Sequence, residues 1–210
     1  LVNDYTYYPE NDCFDKAARV SMMLSLDGKK VATRRPLSGL TQAEHFNYDG
    51  TPFGNFTFMH AMLRAIQPGL DIMPAIMVVY DDETYDLDAF DATMKTTMYR
   101  KLMETARLVE GQNVTEVCYM SLYSSVPITP DTPRTSRERI QQSTSDILAC
   151  ASIDRALHEK EYVFDGKQME NMKYVACVMK NGMSKQLGVS ATNLFPIRCA
   201  FEKKLTEASN

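Results

Sequence analysis

Two rhythms of apolar and polar positions alternate along the chain. Runs dense in β-branched and aromatic residues stand at 19–26, 72–80, 114–123 and 174–179, with weaker runs at 161–164 and 194–200. Bounded by turn residues, such runs predict strands. Asp27-Gly28 closes the first run and predicts a hairpin in which 29–33 returns antiparallel. Elsewhere apolar residues recur at steps of three or four. The longest such stripe, Leu87, Phe90, Met94, Met98, Leu102 and Ala106, predicts a helix over 87–109 that Gly111 ends. Residues 54–67 predict a second helix, with Phe58, Met62 and Ile66 on its apolar face and Pro68-Gly69 as its stop. Thr135 and Glu138 form a capping box, so a third helix is expected from about Ser136, carrying Ile140, Ile147, Ala151 and Leu157.

Strand-like and helix-like segments in this alternation predict an α/β or α+β fold, with a mixed sheet of about five to six strands covered by about three main helices. A polar loop at 124–135 holds Pro127, Pro130 and Pro133 but lacks the length of an inter-domain linker. Residues 1–210 are therefore expected to form a single globular domain.

Composition narrows the function classes. With 210 residues, 44% of them hydrophobic and 24% charged, the chain is long and apolar enough to bury a sizeable core without disulfides or a structural metal. A net charge of −4 argues against binding nucleic acid through overall charge. Two local basic patches remain for such a partner: Lys29, Lys30, Arg34 and Arg35, and Arg134, Arg137 and Arg139. A solvated loop and a solvated first helical turn are the plainer account of the same residues.

The five cysteines are odd in number, widely spaced and free of C-x-x-C pairs, which argues against a disulfide framework and a zinc site. They read as small core residues of an intracellular protein in a reducing compartment. No apolar run approaches the roughly 20 residues of a membrane span, and the cluster at Tyr5, Tyr7 and Tyr8 does not resemble a signal peptide.

The sharpest chemical feature is Val78-Val79-Tyr80-Asp81-Asp82-Glu83, an apolar strand with adjacent carboxylates at its C-terminal end. Paired carboxylates suit Mg²⁺, a hard cation that often needs only one or two of them plus substrate phosphates. The plainer account joins Asp81, Asp82 and Glu83 with Asp86, Asp88 and Asp91 in an acidic run flanking the start of the long helix, where its dipole favours negative charge. Thr51-Pro52-Phe53-Gly54, an apolar helix, and then Val79-Tyr80-Asp81-Asp82 resemble the second and third palm motifs of reverse transcriptases and related RNA-templated polymerases. The similarity covers about residues 19–85 and departs at Val79, where that family carries its tyrosine. It implies that Asp81 and Asp82 hold catalytic magnesium, with Asp27 as the remaining ligand.

Other signatures are missing. The three histidines, His45, His60 and His158, are far apart, and no phosphate-binding glycine loop or nucleophile elbow occurs. Fourteen methionines are spread over most predicted elements, as suits an adaptable core or a surface that repacks against a partner. From the sequence, the favoured function is non-enzymatic: a binding or assembly protein without a cofactor, a structural subunit of a larger protein or nucleoprotein complex, a viral one included. It would have protein partners or form a homo-oligomer, with no membrane. The rival is a Mg-dependent enzyme on phosphate-containing substrates that uses Asp27, Asp81 and Asp82.

Overall fold

A computed structural model describes residues 34–38, 49–66, 73–90, 95–125, 145–169, 171–181 and 191–209. Its elements run β1 (Arg35–Pro36), α1 (Pro52–Ile66), β2 (Ala75–Tyr80), β3 (Thr84–Ala89), α2 (Lys95–Gly111), β4 (Val114–Ser125), β5 (Ser145–Asp154), β6 (Glu159–Asp165), α3 (Met172–Asn181) and α4 (Ala191–Ala208). The expected strand at 19–26, its return at 29–33 and the proline-bearing part of the loop beyond Ser125 lie outside the described residues.

The expected α and β mixture is present as a six-stranded sheet in the order β1-β3-β2-β4-β5-β6, with every pairing antiparallel, and four helices packed on it. β3 and β4 both run antiparallel to β2 and are therefore parallel to each other, so α2 crosses over β2 to join them. β4, β5 and β6 continue as a meander.

All six residues of β2 are apolar and buried, as befits an inner strand with helices on both faces. Ala75, Met77 and Val79 point to one side, where Phe53, Phe56 and Met59 of α1 and Val175 and Met179 of α3 close a core. Ile76, Val78 and Tyr80 point to the other, where Leu102, Ala106 and Val109 of α2 meet Leu194, Ile197 and Phe201 of α4. Arg198 ties α4 to the sheet, reaching Glu159 of β6 and Glu202 of its own helix at 2.9 Å each.

α1 begins at Pro52 because Thr51 caps it: the Thr51 hydroxyl accepts the Gly54 N–H at 3.0 Å, and Pro52, which has no N–H to leave unpaired, takes the first helical position. A Cβ on Gly54 would meet the Asp49 carboxylate, which accepts from the Thr51 N–H and hydroxyl, so a larger residue there would have to displace that side chain.

Several segments differ from expectation. Residues 84–89 form β3 rather than the start of the long helix, because Tyr85 and Leu87 alternate with Asp86 and Asp88 across the sheet. Asp86 and Asp88 thus belong to β3 and Asp81, Asp82 and Glu83 to the turn before it, so the dipole of the helix at Lys95–Gly111 does not explain these five, and Asp91 lies outside the described residues. Ser145–Asp154, expected to be helical, is a strand paired along both edges. Residues 174–179, expected as a strand, lie within the helix Met172–Asn181: Asn171 Oδ1 accepts the Lys173 N–H at 3.0 Å, and Val175 and Met179, one turn apart, are the buried pair. Residues 194–200 are helical as well, with Leu194, Ile197 and Phe201 buried at steps of three and four around an interior Pro196.

Cys118 and Cys150 lie in the core as expected, whereas Cys177 and Cys199 are exposed on the outer faces of α3 and α4. All four are free thiols, and burial pushes the thiol pKa of Cys118 and Cys150 up. A thiol reagent at pH 8 is expected to modify Cys177 and Cys199 in the native protein within minutes, and Cys118 and Cys150 only after denaturation. Mass mapping of the labelled peptides checks this; rapid native labelling at Cys118 or Cys150 would contradict the packing of β4 and β5.

Candidate functional site

Asp81, Asp82 and Glu83 form the turn between β2 and β3, and all three are exposed. Glu83 holds the left-handed conformation at φ 59°, where glycine or asparagine is usual. A side chain in that conformation costs about 1 kcal/mol or more. The turn is braced from outside: Leu37, just beyond β1, donates its N–H to the Glu83 carbonyl at 2.7 Å.

The two aspartates differ in their surroundings. Thr84 donates both its hydroxyl and its N–H to Asp82 Oδ1, and Arg34 Nη1 lies 3.4 Å from Asp82 Oδ2. The Thr84 hydroxyl foremost, and Arg34 after it, hold the Asp82 carboxyl below its ordinary range. Asp81 is anchored by its backbone, whose N–H donates to the Asn113 carbonyl at 3.0 Å. Its carboxylate makes no hydrogen bond or ion pair among the described residues.

Arg34 connects the turn to the face under α2. Its guanidinium carbon lies 3.7 Å from the centre of the Tyr80 ring, and Nη2 donates to Gln112 Oε1. The Tyr80 hydroxyl in turn donates to Asp86 Oδ2 at 2.9 Å, and Asp88 pairs with Lys101. Burial, with the Asp86 carboxylate beside it, pushes the Tyr80 phenol well above its ordinary value. These groups border a cavity of about 570 Å³ between β2, β3 and α2.

A second cavity, of about 480 Å³, opens at the turn itself, between Asp81, the β5–β6 turn and the end of α4. Phe201, Leu205 and Val114 give it an apolar floor, and Arg155 and Lys204 bring positive charge. Lys204 Nζ donates to the Gln112 carbonyl at 2.6 Å. On the opposite face of the sheet, burial raises the Glu116 carboxyl pKa, and Ser152 acts against that shift.

Of the residues singled out from the sequence, Asp81, Asp82 and Arg34 come together, and Arg35 sits in β1 with two guanidinium nitrogens that lack a hydrogen-bond partner among the described residues. Asp27, Lys29, Lys30, Arg134, Arg137 and Arg139 lie outside the described residues. No group of three or more metal-ligating side chains occurs among the described residues. His60 is buried in α1, and His158 is exposed and paired with Asp154 at 3.1 Å. Sequence reasoning missed Arg155 and Lys204. They stand in no local motif: the pairing of β4 with β5, where the Arg155 N–H donates to the Thr115 carbonyl, brings Arg155 to the turn, and the return of α4 across the sheet brings Lys204.

Among the described residues, no helix is long and apolar enough to cross a membrane. Comparison with protein-family models, curated proteins and solved structures returns no match for this chain.

Proposed function

We propose that this chain is a magnesium-dependent module acting on phosphate-containing substrates, with Asp81 and Asp82 as metal-holding carboxylates and Asp27 as the third. The observation that carries the reading is the position of the pair. Two adjacent carboxylates occupy the exposed turn of a hairpin whose first strand is fully buried, so a rigid core presents them to solvent. The resemblance to polymerase palm motifs implies the same use of such a pair. The donors also suit the ion, since Mg²⁺ takes oxygen ligands and is commonly bound through one or two carboxylates plus substrate phosphates and water. Asp81, uncommitted among the described residues, is the first ligand. Asp82 joins by giving up its contact with Arg34.

Thermal melting with Mg²⁺ and Mn²⁺ tests the reading. A ligand bound only by the folded state stabilises it by about 2.7 kcal/mol at one hundred times Kd. A saturable rise in Tm is expected, absent from the Asp81→Asn, Asp82→Asn double variant, whose fold circular dichroism checks. Equal melting with and without metal in the parent would exclude the reading.

A second reading, assembly into a larger particle, is favoured by Tyr99 on α2 and Phe195 on α4, which are 60% and 59% exposed. Large aromatic side chains at such exposure are suited to a protein interface. Sedimentation that gives a mass of 23.8 kDa across the working concentration range would exclude self-assembly.

A further inference from the structure

We propose that the cleft between the β2–β3 turn and α4 is a binding site for an organic phosphate, which Arg155 and a metal ion on Asp81 hold by its phosphate and the apolar floor holds by its body. The metal share of this rests on the function proposed above. Its other residues lie outside the stretch that resembles polymerase motifs.

The charges carry the argument. Asp81 and Arg155 line the same cleft, and the side chain of neither makes a hydrogen bond or ion pair among the described residues. An anion entering alone meets the Asp81 carboxylate, and a metal ion already on Asp81 leaves Arg155 without a counter-ion. A metal–phosphate complex satisfies both, because the metal neutralises Asp81 and the planar guanidinium donates two parallel hydrogen bonds to phosphate oxygens. The floor supplies the second observation. Leu205 is 44% exposed, one of four large apolar side chains left open among the described residues, and it borders this cleft beside the buried Phe201. A volume of about 480 Å³ lies within the size range of small-molecule sites. An apolar body over Leu205 removes that surface from water.

Isothermal titration of the full chain with ATP in Mg²⁺ tests the site, with inorganic pyrophosphate as the probe that lacks an apolar body. ATP is expected to bind the parent at least tenfold more tightly than pyrophosphate does. Arg155→Gln, and Ala208→Trp at the cleft margin, should each weaken ATP at least tenfold while the Mg²⁺-induced rise in Tm persists. Both positions are exposed, and circular dichroism checks that the variants fold. Failure to bind ATP despite an intact Mg²⁺ shift overturns the proposal. So do binding indifferent to either substitution, pyrophosphate as tight as ATP, and tighter binding of leucine as a simple zwitterion. If the parent shows no Mg²⁺ shift, the metal reading falls and this site falls with it, whereas an intact shift without ATP binding overturns the site alone.

Discussion

Replacing Ile153 with Asp is expected to abolish cooperative folding. Ile153 is 0% exposed near the C-terminal end of β5, in the core that α4 closes with Leu194 and Ile197, and it is paired with Val117 of β4 and Glu159 of β6. A carboxylate there has neither water nor a cationic partner within the apolar cluster. The cost exceeds about 4 kcal/mol, a large part of the 5–15 kcal/mol by which domains are stable. The helix expected from the sequence gives this position a lesser role: at 3.6 residues per turn, 153 would lie about 200° around from Ala151 and, of the stripe Ile140, Ile147, Ala151 and Leu157, would neighbour Leu157 alone, so Asp would cost less there. Urea unfolding followed by circular dichroism separates the two: a soluble variant with the parent's midpoint would restore the helix.

That contrast shows where the fold was legible in the sequence. Ala75–Tyr80 is recognisable because an inner strand buried on both faces needs an unbroken apolar, β-branched run, and Val114–Ser125 because Val117, Cys118, Tyr119 and Met120 form an apolar and aromatic block within it. Pro52–Ile66 was recognisable from apolar residues one turn apart and a Pro-Gly stop. Ser145–Asp154 contains Ser, Asp, Ala and Cys, and only pairing with β4 and β6 along its length makes it a strand. Residues 174–179 and 194–200 misled in the other direction, because short apolar runs have the same density in either state. Asn171 before the first of them was the overlooked cap.

The candidate site divides in a similar way. Asp81 and Asp82 stood out because adjacent carboxylates directly after an apolar strand are a local pattern. Their hairpin turn did not, because the left-handed position is taken by Glu83 rather than by glycine. Arg34 was noted only as part of a basic patch. In the folded chain it touches the Tyr80 ring, Asp82 and Gln112, a set of contacts that exists only once β1, β2 and α2 have come together.

His60 gives the chain a built-in loss of stability toward acid. The ring is 1% exposed in α1, its Nδ1 lies 2.7 Å from the Phe56 carbonyl, and it meets the Phe56 ring edge-on at 4.4 Å. In the neutral tautomer Nδ1–H donates to that carbonyl and the rest of the ring is in apolar surroundings. Burial lowers the pKa from 6.5 to about 4, against the opposing effect of the Phe56 hydrogen bond. Above pH 6.5 both folded and unfolded chains carry a neutral ring, and its contribution is fully present. Below that the unfolded chain takes up a proton that the folded one refuses, so stability falls by about 1.4 kcal/mol per pH unit until the folded ring titrates near pH 4. Over the whole window the loss is about 3 kcal/mol. Urea midpoints of the parent and of His60→Phe, taken at pH 7 and pH 4.5, isolate this share, because carboxylates that titrate in the same range are common to both. The parent is expected to lose about 2–3 kcal/mol more than the variant, and equal losses would mean that the imidazole reaches solvent or a carboxylate when it charges.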